Sequence, residues 1–260
     1  MKFAKAAIKR SFSTAAKTYD KHSDIQMEAA KTLATRIKEL CAGGRPGRVL
    51  DVGCGTGHLT VELTREFPAS KIFACDLSTR MLREYFLKTG KKKLAAGDSE
   101  SLPFAPSAFD VVASNLAFQW SCDAALTFAE AARVLRTGGV LAFSTLGSST
   151  LYELKHVYPH KERLACFPDA ETLKEALCAA GFEVLNVETK RAEKNYEGLF
   201  ALLRVLRKIG ASPKTQTAEK TLGSASALRD AAARYKKIHP SNGGIAATYE
   251  LIFASARKKA

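Results

Sequence analysis

Three glycines, Gly53, Gly55 and Gly57, follow the apolar run Val49–Val52 within the stretch GRVLDVGCGTGHL, and three acids, Asp51, Asp76 and Asp98, stand at or near the ends of successive apolar segments. Glycine between a strand and a helix leaves backbone N–H groups free and lets a ligand approach where a Cβ would intrude. A dinucleotide fingerprint spaces its glycines as G-x-G-x-x-G around a pyrophosphate. Here the third glycine arrives one residue early and His58 stands where the last glycine of that fingerprint would be, which suits a ligand without a pyrophosphate. Asp76 is placed to accept hydrogen bonds from ribose hydroxyls, as the acid about 20 positions on does in nucleotide folds. Asp98 is placed to meet an adenine amino group. Three carboxylates at one edge repel a phosphate and tolerate a cation.

The elements that would position these residues alternate. Residues 20–40 place apolar side chains at helical spacing ahead of a first strand, Arg48 to Val52, and HLTVELTREF reads as a helix stopped near Pro68. SKIFACDL is a second strand ending at Asp76; the following helix has Ser78 as N-cap and Gly90 as its stop. KKLAAGD gives a short third strand and FDVVASNLA a fourth. CDAALTFAEAARVLRTGG reads as a helix closed by its glycines, VLAFSTL as a fifth strand, residues 169–180 as another helix, and FEVLNVETKRAEK and GIAATYELIFASARK as the last two strands. Seven strands with interleaved helices predict a doubly wound, mostly parallel α/β sheet in a single domain. The division is an N-terminal helical cap over 1–45, a cofactor-binding core over 46–146, and two insertions, 147–168 and 194–241, that form a lid over the carboxyl ends of the strands.

With those elements in order, VLDVGCGTG, ACDLS, AAGDSESLPF, FDVVASNLAFQW and EAARVLRTGGVLAFSTL resemble the successive motifs of the class I S-adenosylmethionine-dependent methyltransferases over roughly residues 45–150. S-adenosylmethionine carries ribose, adenine, an amino acid and a positive sulfonium, with no phosphate, as the acidic strand ends require. The resemblance implies that Asp51, Gly53, Cys54, Gly55, Gly57, Asp76, Leu77, Met81, Asp98, Ser99, Asn115 and Leu116 surround this cofactor. The flanking segments IKRSFSTAAKTYDKHSDIQ, LAFSTLGSSTLYEL, LLRVLRKIGAS and GIAATYELIFASA are similar to the malonyl-acyl-carrier-protein O-methyltransferase family of biotin synthesis. That likeness implies methyl esterification of the free carboxylate of a malonyl thioester, on acyl carrier protein or coenzyme A, to mask it for fatty-acid synthesis as a primer.

A malonyl carboxylate is ionised at neutral pH and needs no general base, so no residue is assigned as catalytic beyond Tyr19, which is placed to cover the sulfonium or to pack the N-terminal helix. Gln119 and Trp120, after the fourth strand, are expected to face substrate, with a core anchor as the other role for Trp120. Arg204, Arg207 and Lys208 fit two roles: a cation for the malonyl carboxylate, or the solvated face of a helix whose apolar positions are Leu202, Leu203, Leu206 and Ile209.

The formal net charge of +14 favours an acidic partner, and acyl carrier proteins present an acidic helix; Lys91, Lys92 and Lys93 fall at the opposite end of the sheet. A nucleic-acid methyltransferase is the contrary reading, weakened because Asn115-Leu116-Ala117-Phe118 lacks the prolines that base amino methyltransferases place after strand four. A methyltransferase of another small carboxylic acid and a relative of a respiratory-complex assembly hydroxylase are further alternatives. No zinc or disulfide framework is indicated by the six scattered cysteines, and Pro159 breaks the His156–His160 spacing, so no metal is expected. No apolar run is long enough to span a bilayer. The basic, alanine-containing N-terminus has some features of an organelle presequence, against which Asp20 and Asp24 argue; a cytoplasmic monomer is expected.

Overall fold

A computed structural model describes residues 5–157, 167–211 and 225–259. Helix α1 (Lys5–Ala15), a short 3-10 turn and α2 (Asp24–Leu40) precede β1 (Arg48–Val52), α3 (His58–Glu66), β2 (Lys71–Asp76), α4 (Thr79–Thr89) and β3 (Leu94–Ala96). Then come β4 (Phe109–Asn115), α5 (Ala124–Val134), β5 (Leu135–Leu146), α6 (Tyr152–Val157), α7 (Ala170–Ala179) and β6 (Phe182–Tyr196). The chain continues through α8 (Leu199–Lys208), α9 (Ala225–Ile238), β7 (Pro240–Ser241) and β8 (Gly244–Lys258). His160 and parts of both insertions lie outside the described residues.

The sheet runs β3-β2-β1-β4-β5-β8-β6. The first five are parallel and β8 is antiparallel to both of its neighbours. The seven expected strands are joined by an eighth, the two-residue β7, which pairs with the start of β8. Because β1 and β4 are covered on both faces, they are nearly continuous apolar runs. One face carries Phe118, Phe128 and Phe143 with α5 and α7; the other packs Leu33 and Ile37 of α2 and Leu59 and Leu63 of α3. A third core lies under the insertions, where Leu154, Leu202, Leu206 and Tyr235 close on Ile245 and Tyr249 of β8.

One boundary differs from the sequence reading. Helix α5 ends at Val134 rather than at Gly138 and Gly139. Leu135 is fully buried and already pairs with Phe109, so the chain turns into the sheet there, and a register shift follows between Phe109 and Val111. Gly138, at φ +74°, carries the resulting irregularity inside β5. Elsewhere the capping chemistry holds: the Ser78 hydroxyl accepts from the Met81 N–H at 3.3 Å, and Gly90 closes α4 at φ +65°.

Candidate active site

The parallel strands β1 to β4 end on one side of the sheet, and the turns that follow them line a cavity. Its floor is the glycine turn. Gly53, Gly55 and Gly57 all have positive φ, at +69°, +55° and +92°. A Cβ on Gly53 would stand 2.3 Å from the Cβ of Ala117, so the turn after β1 and the turn after β4 touch only because this residue is glycine. Gly55 has nothing within 4 Å of where its Cβ would be and lines the cavity, leaving that space to a ligand.

The Asp76 carboxylate fastens this turn to the end of β2. One oxygen accepts from the Gly55 N–H at 2.9 Å and the other from the Ser78 N–H at 2.7 Å. Burial raises its pKa despite those bonds. Opposite it, Leu116 adopts φ +48°, a strained backbone for leucine, held by its N–H donating to the Ser144 backbone oxygen at 3.0 Å and hydroxyl at 3.1 Å.

Eleven of the sequence-derived candidates line the cavity: Tyr19, Gly53, Gly55, Asp76, Leu77, Met81, Asp98, Ser99, Asn115, Leu116 and Trp120. Others are not brought to it. Asp51 is fully buried beneath the turn, not at its rim; one oxygen accepts from the Thr60 hydroxyl at 2.6 Å and the other has no partner. Burial, with a contribution from Asp76, pushes its pKa up to about 7. Cys54 and Gly57 back the turn from outside the cavity. Gln119 braces the chain after β4, donating to the Leu116 backbone oxygen at 2.8 Å and accepting from the Thr145 hydroxyl at 3.3 Å. Arg204, Arg207 and Lys208 lie on the exposed side of α8, whose Leu199, Leu202 and Leu206 are buried; the solvated-face role is the one their placement favours.

The sequence reading missed the contribution of α1. Lys5, Ile8 and Phe12, at helical spacing, line the cavity, and Phe12 meets Trp120 edge to face at 5.5 Å. That spacing was the available signal. Lys5 bridges Asp98 and Glu100, each at 2.6 Å, and these two bonds raise its pKa. A group reaching for Asp98 therefore meets a carboxylate already paired with a cation. Asn115 also spends its amide internally, accepting from the Ser144 hydroxyl at 2.7 Å and donating to the Gln26 backbone oxygen at 2.9 Å.

A polar network holds this cap on the glycine turn. Asp20 accepts from the Thr56 hydroxyl, from Lys88 at 2.9 Å and from His58 at 3.2 Å. Partial burial opposes ionisation of Asp20, but the bonds from His58, Thr56 and Lys88 prevail and hold its pKa well below the usual range. Lys88 donates to His58 Nδ1 at 3.1 Å, leaving Nε2 to face Ser23 at 2.9 Å. Tyr19 stacks on His58 with ring centroids 6.1 Å apart, and burial, then Asp76 and Asp20, raise the pKa of its phenol.

The donor set fits S-adenosylmethionine. Asp76, Asp98 and Glu100 face the cavity, its lining cation Lys5 is bonded to two of them, and the space over Gly55 admits close approach. Asp76 and the glycine turn would hold the adenosyl and methionine parts, and Leu77, Met81 and Leu116 the flat faces of the base. Among the described residues no group of three or more metal-ligating side chains is found, and His156 stacks instead on His239.

This architecture defines a methyltransferase. A family model described as a methyltransferase domain matches residues 50–143. The phosphoethanolamine N-methyltransferase 2 of Haemonchus contortus, solved in complex with S-adenosyl-L-methionine, shares the fold at TM-score 0.54 with 22% identity, over 87% of this chain and 52% of that one. Two curated relatives are nearer in sequence. The malonyl-[acyl-carrier protein] O-methyltransferase of Herminiimonas arsenicoxydans is 35% identical over 98% of this chain and 96% of its own. The protein of the same name from Dechloromonas aromatica is 34% identical over 98% and 95%. The chain belongs to the malonyl-[acyl-carrier protein] O-methyltransferase family.

Two outcomes test the site. Gly53→Ala adds a Cβ that strikes Ala117 in a left-handed conformation costing roughly 1–2 kcal/mol by itself; calorimetry should show S-adenosylmethionine binding weakened about tenfold or more, while Gly43→Ala, with open space around it, binds normally. Asp51 ionises in the folded protein at about 7, above its value in the unfolded chain. Its contribution to stability is therefore complete below pH ~4 and is lost as pH rises through about 7. Urea denaturation from pH 5 to 8 should show a decline that Asp51→Asn flattens; equal slopes would contradict the assignment.

Proposed function

We propose that the chain transfers a methyl group from S-adenosylmethionine to the free carboxylate of a malonyl thioester carried by acyl carrier protein, giving the methyl ester that primes pimeloyl synthesis for biotin. The observation that carries the reading is a likeness to relatives of that name running through almost the whole chain, α1 and the insertions included. When bound, S-adenosylmethionine supplies an electrophilic methyl whose departure leaves the electron pair on sulfur as a neutral thioether, while a carboxylate oxygen gains the new bond.

The chain's own residues have a restricted task. The acceptor carboxylate is ionised at neutral pH, so no side chain need remove a proton. Tyr19 suits a donor and not a base: its phenol keeps its proton across the physiological range and can hold one oxygen of the acceptor carboxylate while the other reacts. Phe12 and Trp120 form an apolar wall that keeps water from the opposing charges. Asp76 and the glycine turn fix the donor's place, so that rate comes from alignment, a source worth roughly 7–11 kcal/mol.

In this reading the chain is a single domain with a core over 46–146 and a lid from 147–168 and 194–241, working as a monomer. The unbridged thiols of Cys41, Cys54, Cys75 and Cys178 accord with the cytoplasm. Among the described residues no helix is long and apolar enough to cross a membrane.

Incubation with methyl-labelled S-adenosylmethionine and malonyl-acyl carrier protein should give a base-labile ester and a one-methyl gain in intact mass. Labelling of RNA or of a free small acid with none on the malonyl carrier would refute the reading. Tyr19→Phe should lower kcat/KM about tenfold to hundredfold, the loss of a hydrogen bond to a charged group worth about 1.5–3 kcal/mol, without moving the pH profile. A shifted profile would make Tyr19 a base after all.

A further inference from the structure

Helix α1 has two faces with different tasks. Ile8 and Phe12 turn inward to line the cavity, while Lys9, Arg10 and Lys17, on α1 and just after it, are exposed. The end of α8 meets this helix: the Thr18 hydroxyl donates to the Lys208 backbone oxygen at 3.2 Å, and Gly210 approaches Phe12 so closely that a Cβ there would stand 3.1 Å from its ring. On α8 itself Phe200, Arg204, Arg207 and Lys208 recur at i, i+4, i+7 and i+8, which is one helix face, and all four are exposed. The two adjoining helices and the residues just after α1 thus present six exposed cations, and α8 adds one apolar residue, Phe200, which is 49% exposed.

Neither α1 nor α8 contains an acid, and none of the six cationic side chains has a hydrogen-bond or ion-pair partner among the described residues. Of the acids on neighbouring segments, Asp20 is occupied by Lys88, His58 and Thr56, Glu84 on α4 lines a cleft with Lys17, and Glu197 stands just before α8. By contrast Lys5 and Lys88, equally basic and close by, are both paired. An unneutralised basic surface with an exposed aromatic at its edge is the complement of an acidic protein helix with an apolar rim.

We propose that the outer faces of α1 and α8 are the docking surface for the acidic carrier protein that delivers the thioester, a proposal resting on the reading of a carrier-borne substrate. A helix is about 10–12 Å across, so a carrier seated on the outer face of α1 stands one helix width from the cavity that Ile8 and Phe12 line, within reach of its flexible arm. This gives a function to the cations on α8, which do not line the cavity.

The test uses the full chain, two charge-reversed variants, Arg10→Glu/Lys17→Glu and Arg204→Glu/Arg207→Glu, and a control, Lys91→Glu/Lys92→Glu, before β3 at the far end of the sheet. Thermal unfolding and S-adenosylmethionine binding establish that each folds. With malonyl-acyl carrier protein both docking variants should lose about tenfold or more in kcat/KM and most of their salt dependence, and the control should not. With a small malonyl thioester that lacks the carrier, all three should match the unaltered chain. Equal losses on both substrates, losses on neither, or restored docking on RNA or anionic vesicles in preference to the carrier would each overturn the proposal. Direct titration of the carrier separates this from failure of the proposed reaction: carrier that binds the unaltered chain and not the variants, without methylation, sustains the surface and removes the chemistry; carrier that binds all alike removes the surface.

Discussion

The Asp76 carboxylate is the constraint on which the site depends. It joins two turns that belong to different strands, accepting from Gly55 after β1 and from Ser78 after β2, and so decides where the glycine backbone stands relative to the sheet. In this half-buried place these N–H groups favour the charged form of the carboxylate. The arrangement also explains the ligand chemistry: with a fixed negative group at the floor, and Asp98 and Glu100 at the wall, a nucleotide phosphate is disfavoured and a hydroxylated, positively charged donor is accommodated. Gly53 completes the constraint by letting the turn after β4 press against the turn after β1.

The cap is built on the same principle of one group serving several elements. Asp20 ties the segment after α1 to the glycine turn through Thr56, to α3 through His58 and to α4 through Lys88. Tyr19, next to it in the chain, therefore has its position over the cavity set by polar contacts on the far side of the backbone. Asn115 does the equivalent from β4, spending its amide on α2 and β5. The cavity walls are held from behind, and the surfaces turned toward the ligand are left to aromatic rings, glycine backbone and carboxylates.

How much of this was legible in the sequence follows from the range of each interaction. The placement of the glycine turn and of Asp76 at the strand ends, and the Ser78 cap, are local: each depends on residues a few positions away or on a strand–turn–helix unit with its own pattern, and the structure puts all three where that pattern implies. Asp51 was misplaced because a strand-end acid looks alike from the sequence whether it points into the cavity or under the turn; the pleat decides, and it turned Asp51 toward Thr60. Lys5 and Glu100 were invisible because their meeting is tertiary. Arg204, Arg207 and Lys208 are ambiguous in the sequence, since a basic helix face carries no mark of what lies opposite; the burial of Leu202 and Leu206 shows only that the three cations face away from the core. Gly138 and Gly139 suggest a helix stop, but the pull of Leu135 into the sheet ends α5 earlier.

The place of β8 sets the order in which the protein can assemble. This strand lies between β5 and β6, pairing Val140 with Arg257 on one side and Phe182 with Lys258 on the other. Until it arrives, the five parallel strands form a sheet with an open edge, and β6, though made earlier, has nowhere to join. A newly synthesised chain therefore carries two unpaired edges, rich in Val, Phe and Leu on the β5 side, through much of its production, the condition in which strands of different molecules associate. Closing so distant a pairing costs chain entropy before contacts repay it, and the sheet is complete only when β8 has docked on both neighbours.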